Sequence, residues 1–392
     1  MNYDKFISPA VKGLKPSGIR RFFDLVASTE GVISLGVGEP DFVTPDNIRK
    51  AAIDSINAGM TTYTSNYGTM ELREAVAEYL DEQYAIRYNP ANEIVITVGT
   101  SEAMDITLRT LVSPGDEVLV PEPCYVSYEP GISLCGGKTV YIHTRDEDRF
   151  KLTPELLRAA ITEKTKVLIV PYPSNPTGAI MTREELEEVA AIAIEHDLVV
   201  ISDEIYSELT YNGLHHVSIA SLPGMWERTV VINGLSKGFA MTGWRVGYVC
   251  GPVELIGQML KIHQYTMLCA PIMSQMAAVE ALKNSRDSVN HMVEQYDIRR
   301  KYLVKRFNEI GLTCFEAEGA FYLFPSIAIT GMDENDFAER LLEEESVAVV
   351  PGSAFGPSGA GHLRISYAYS MENLKEALNR IERFVEKHRT DR

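Results

Sequence analysis

From about residue 90 to 285, short apolar runs alternate with stretches whose apolar residues recur at helical spacing. Ile94–Val98 ends in Gly99-Thr100-Ser101-Glu102, and Ala103, Ile106, Leu108 and Leu111 then mark the inner face of a helix. Val118–Val120 is ended by Pro121-Glu122-Pro123, and Val167–Val170 runs into Pro171-Tyr-Pro-Ser-Asn-Pro-Thr-Gly178. Thr182 and Glu185 form a capping box for a helix through His196. Leu198–Ile201 leads to Ser202-Asp203-Glu204, while Val230–Ile232 and Val246–Val249 flank a loop that contains Lys237. Continuously apolar strands separated by helices predict an α/β architecture, with a mainly parallel sheet covered on both faces.

The flanks follow other rules. Thr44-Pro45 starts a helix that ends near Gly59. Val289, Met292, Val293, Tyr296, Leu303, Phe307 and Ile310 keep helical spacing over a long connector. The tail mixes strand-like Phe321–Phe324, a helix over Glu334–Glu345, strands at Val347–Val350 and His362–Tyr367, and a last helix carrying Leu374, Leu378, Ile381 and Val385. We expect a large α/β domain over residues 46–288. A smaller α+β domain would combine 289–392 with an N-terminal arm and strand from 1–45.

Composition narrows the function classes. The 392 residues are 45% hydrophobic and carry a formal charge of −17, which disfavours nucleic acid and anionic membrane surfaces as partners. No stretch approaches the roughly 20 apolar residues of a membrane span, and the N-terminal residues lack the apolar core of a signal peptide. Five scattered cysteines without a C-x-x-C read as reduced thiols of a cytoplasmic protein. His215-His216 reads as a solvated loop, and no compact metal-ligand set is present in the sequence.

In open α/β sheets ligands sit beyond the carboxyl ends of the strands, so the polar residues there are the candidates. Lys237 lies among small and apolar neighbours, where lost solvation favours the free amine that attacks carbonyls. Asp203 follows four apolar residues and needs a partner or a helix to cap. The Gly99-Thr100-Ser101 helix start and nearby Arg245 suit a phosphate. An amine, a phosphate cradle, an acid and hydroxyl or amide donors are together what pyridoxal phosphate requires.

These residues lie in contiguous segments: Leu35-Gly-Val-Gly-Glu-Pro-Asp-Phe42, Tyr172-Pro-Ser-Asn-Pro-Thr-Gly178, Ser202-Asp-Glu-Ile-Tyr206, Ser236-Lys-Gly-Phe-Ala-Met-Thr-Gly-Trp-Arg-Val-Gly247 and Arg364-Ile-Ser-Tyr367. With them the chain resembles, over its whole length, the class I aminotransferases of pyridoxal-phosphate fold type I. The aspartate, aromatic and N-acetyl-diaminopimelate subgroups are the nearest in pattern. The resemblance implies a seven-stranded-type sheet sandwiched by helices, and ping-pong transfer of an amino group from an L-amino acid, aspartate or aromatic, to a 2-oxo acid such as 2-oxoglutarate.

It also implies roles. Lys237 would form the Schiff base, Asp203 would face the pyridine nitrogen, and Asn175 and Tyr206 the ring oxygen. Tyr125 would stack on the ring. Gly99, Thr100, Ser101, Ser236 and Arg245 would hold the phosphate, joined by Tyr63 from the neighbouring subunit of a homodimer. Arg364, the backbone near Gly38 and Ile19 would meet the substrate. Gly234 departs from the pattern, since many relatives carry a phosphate-binding serine there, and the cation that reads a distal carboxylate in one subgroup is replaced by Ser101. A C–S β-lyase or acyltransferase on the same cofactor is the enzymatic alternative, and a ligand-sensing domain the non-enzymatic one.

Overall fold

The computed structural model describes residues 1–14 and 31–390. Seven strands form the main sheet: β1 (Ile94–Thr97), β2 (Glu117–Glu122), β3 (Lys138–His143), β4 (Thr165–Val170), β5 (Val199–Asp203), β6 (Thr229–Gly234) and β7 (Gly247–Cys250). Their spatial order is β1-β7-β6-β5-β4-β2-β3. Every pairing is parallel except the two made by β7, which runs against both β1 and β6.

The expected two-sided burial follows from the period of 2 along each strand. Val167, Ile169, Ile201, Val230 and Ile232 pack with the helix Thr100–Leu111 on one face. Leu168, Val170 and Val200 pack with the helix Arg183–Glu195 on the other. Thr182 and Glu185 close the predicted capping box at that helix's start.

One strand runs further than its prolines suggest. Pro121 lies inside β2, opposite Ile142 of β3, while the ladder to β4 ends at Leu119. The missing N–H of Pro121 therefore falls where that side of β2 is no longer paired.

A 25-residue helix, Arg286–Ile310, spans about 37 Å and stops at Gly311, which adopts the left-handed conformation that ends helices without a Cβ penalty. Beyond it, Val350–Pro351, Leu363–Ser366 and Tyr322–Leu323 form a small antiparallel sheet. The helices Glu334–Glu345 and Met371–His388 pack beside it. Near the N-terminus, Ile33–Ser34 pairs in parallel with Val347–Ala348, so an early segment joins the C-terminal part of the fold.

Candidate active site

The topology explains why so much chemistry converges at one edge of the sheet. β1, β2, β4, β5 and β6 all point the same way, so their carboxyl ends share that edge. Since β7 runs in the opposite sense, its beginning lies there too, directly after Arg245. A cleft of about 860 Å³ opens along this edge, and the wall is completed by Gly38 and Arg364 from outside the main sheet.

In this cleft, the half-buried Lys237 donates from its amine to the Gly38 carbonyl at 2.6 Å. Desolvation lowers its pKa to about 8, and neighbouring Arg364 and Arg245 push the same way against Glu39. The free amine is thus far more accessible near neutrality than for a solvated lysine.

Asp203 ends β5. Its carboxylate accepts the Tyr128 hydroxyl at 2.8 Å and the Ile205 N–H at 3.3 Å. Burial nevertheless pushes its pKa up to about 6, because neither partner is a cation. Tyr206 shares a 2.9 Å hydrogen bond with Tyr322, 116 residues away in sequence. A side chain at position 38 would collide with that Tyr322 hydroxyl, so glycine admits it.

The Arg364 guanidinium donates to Asn175 Oδ1 at 3.0 Å and to the Gly36 carbonyl. The ring centroids of Tyr322 and Phe355 each lie 4.7 Å from its Cζ. Its Nε is buried without a partner. Arg364 is therefore positioned by stacking and two neutral acceptors, with its charge uncompensated by any carboxylate among the described residues.

Gly99 precedes the helix Thr100–Leu111 with φ +77°, and a Cβ there would come within 2.7 Å of the Arg245 guanidinium. Close approach of Arg245 to free N–H groups at a helix start makes an anion cradle. Behind it, Glu102 bonds the Val98 N–H and pairs with fully buried His263 at 2.5 Å.

A family model, Aminotransferase class I and II, matches residues 30–381. The chain belongs to that family. It is 47% identical to an aspartate aminotransferase of Pyrococcus abyssi, over 94% of this chain and 96% of the relative. An aromatic-amino-acid aminotransferase 2 of Thermococcus litoralis is 45% identical over 96% of this chain and 97% of its own. Among solved structures, an aromatic aminotransferase from Pyrococcus horikoshii superposes with a TM-score of 0.90 at 46% identity, covering 94% and 99% of the two chains.

In this aminotransferase the cleft gathers Gly38, Thr100, Ser101, Tyr125, Asn175, Asp203, Tyr206, Ser236, Lys237, Arg245 and Arg364 from the sequence-predicted set, with Gly99 just behind the wall. Tyr63 is not among the lining residues and stands 82% exposed. Ile19 lies outside the described residues.

Position 234 has a spatial reason for glycine. A Cβ there would meet Gly247 Cα at 3.0 Å and Thr100 Cγ2 at 3.2 Å. The Thr100 methyl takes the room a side chain at 234 would need.

Sequence reading missed Tyr128 and Tyr322, whose hydroxyls hold Asp203 and Tyr206. Tyr128 had a local signal, three residues beyond Tyr125; Tyr322 had none. The reading of His215-His216 as a solvated pair holds only for His215. The His216 side chain is 8% exposed and stands 3.2 Å from buried Glu204, because the chain folds back beneath β5 at Ser218.

Proposed function

We propose that this aminotransferase uses pyridoxal phosphate bound in the cleft, and takes L-amino acids, aspartate or aromatic, as donors and 2-oxo acids as acceptors. The observation that carries the reading is that one cleft holds both Lys237, a desolvated amine whose pKa is lowered to about 8, and an Asp203 carboxylate with no cationic partner among the described residues. The site suits the cofactor on three further counts: the Gly99–Arg245 cradle for a phosphate, the Asp203 carboxylate for a ring nitrogen, and the orphaned Nε of Arg364 for a substrate carboxylate.

Pyridoxal phosphate, when bound, supplies an electron sink for the charge left at the substrate Cα. Thr100, Ser101, Ser236 and Arg245 would hold its phosphate, and Tyr125 would cover its ring. Asn175 and Tyr206 would donate to the ring oxygen. Asp203, held by Tyr128, would keep the ring nitrogen protonated. Arg364 would fix the substrate carboxylate with a planar fork of N–H donors, orienting the Cα–H bond. Lys237, as free amine, would accept the proton leaving Cα.

We further propose a homodimer in which Tyr63 reaches the partner's phosphate site. Exposed apolar residues at Val43, Ile53, Ile56, Tyr63, Tyr265 and Met267 support this, since a lone subunit would leave them in water. A cytoplasmic location accords with five free cysteines. Among the described residues no helix is long and apolar enough to cross a membrane. The division into residues 1–45, 46–288 and 289–392 is proposed on the same footing.

The test is a half-reaction. Purified protein loaded with pyridoxal phosphate is mixed with one L-amino acid and no acceptor. The expected result is stoichiometric 2-oxo acid with conversion of the cofactor to pyridoxamine phosphate. Pyruvate and ammonia with the cofactor unchanged would assign a lyase instead. A panel of aspartate, phenylalanine and tyrosine against 2-oxoglutarate then ranks the donors by kcat/KM.

A further inference from the structure

Directly after Asp203 in the chain stands a second buried acid, Glu204, with no solvent exposure. Its Oε1 accepts the hydroxyls of Ser202, at 2.8 Å, and Ser218, at 2.5 Å. Its Oε2 lies 3.2 Å from Nε2 of His216, off the hydrogen-bonding line, and neither atom has another partner. The imidazole meets the edge of the Tyr84 ring at 5.4 Å. The other titratable groups that feel Glu204 are Asp203, Tyr84, Tyr88, Tyr248 and Cys250, all acids. Among the described residues His216 is thus the base within ion-pair distance of Glu204.

A carboxylate taken fully out of water needs a compensating charge. Here the need is sharpened by position, because an uncompensated charge on Glu204 bears on Asp203. Burial is the main cause that pushes Asp203 up to about 6, and Glu204 contributes in the same direction. An acid that must stay ionised near neutrality therefore has a like charge beside it.

We propose that His216 is the counter-charge of Glu204 and thereby a positioning residue for Asp203, keeping that carboxylate charged for the ring nitrogen of the cofactor. The inference rests on the cofactor reading above. It goes beyond that reading by assigning a task to two residues that line no part of the cleft. A purely structural role is the competing account: the Ser202 and Ser218 bonds, and the bond from Glu204 N–H to the Ile232 carbonyl, would only fasten the end of β5.

The two accounts differ in sign. The dissociation constant of pyridoxal phosphate from the protein is measured between pH 5 and pH 9 in wild type, His216→Phe, Glu204→Gln and the double variant. Below its pKa Asp203 is protonated and cannot face a cation, so wild-type affinity is lost as pH falls through about 6. The cofactor's own phosphate ionisation is common to all four proteins and cancels in the comparison.

His216→Phe is expected to move the midpoint up by about one pH unit, the order of a unit charge in a partly polar interior, and to weaken binding at pH 6 about fivefold. Glu204→Gln is expected to leave the midpoint in place or lower it, and the double variant to return to the Glu204→Gln value. Single variants that shift the midpoint in the same direction, or an unmoved midpoint in His216→Phe, overturn the proposal. Should the phenylalanine variant fail to fold, His216→Gln, neutral but able to donate to Glu204, carries the same expectation. A wild type that binds no pyridoxal phosphate would instead sink the cofactor reading, a distinct result.

Discussion

Two carboxylates on different elements of the molecule, Glu344 and Asp203, show how differently its charges are treated. Glu344, on the helix Glu334–Glu345, lies 2.8 Å from Arg340, 2.6 Å from Lys387 and 2.9 Å from His388. These partners hold it down to about 2. Asp203 is moved the other way, up to about 6, chiefly by burial, with Glu204 pushing in the same direction and only neutral donors opposing it. Keeping Asp203 ionised at neutral pH costs on the order of 3 kcal/mol. The C-terminal surface settles its charges internally. In the cleft an acid, an amine and a guanidinium each stand without an ionic partner among the described residues, open to the charges of a ligand. The difference teaches that the direction of a shift, and its cause, separates a scaffold from a site.

The sharpest way to break that contrast is Lys237→Ala. It removes both the nucleophile and the base, and turnover should fall about 10³-fold or more while circular dichroism stays native. Retained turnover would mean that the buried amine is not the reacting group. A smaller effect is expected from Arg364→Lys, which keeps the charge but loses the planar fork. kcat/KM for donor and acceptor should drop about a hundredfold, chiefly through KM, with cofactor affinity unchanged. An equal loss in cofactor affinity would show that Arg364 serves the fold rather than the substrate.

The smallest effect belongs to the other region. Glu344→Gln should leave activity untouched and shift the melting temperature by less than about 2 °C. The sign with pH follows from a depressed pKa. The contribution of Glu344 is present above the ordinary glutamate pKa of about 4.5 and is lost as pH falls through about 2, below which the two proteins should melt together. A difference that persists below that acidity would break the account of Glu344 as a paired surface charge.

Much of this was legible without coordinates. Helix Glu334–Glu345 and the Thr182/Glu185 capping box appear where the sequence places them, because caps and apolar period act within a few residues. The cleft residues were legible too, since each lies in a short segment at a strand end. β2 was read short, because proline is a local signal and its tolerance depended on where the ladder to β4 stops.

By itself, then, the sequence determined the elements, the parallel α/β class and the positions able to bear an amine, an acid and a phosphate cradle, all properties of neighbouring residues. Tertiary structure decided what those positions experience. It set β7 against its neighbours and so brought Arg245 to the common edge. It placed the Tyr322 hydroxyl on Tyr206 and over Gly38, and gave the room at Gly234 to Thr100. It also turned half of a plain His-His pair into the partner of a buried glutamate. Such contacts join residues tens to hundreds of positions apart, and desolvation is a property of the packed surroundings, so neither is written in any local stretch of chain.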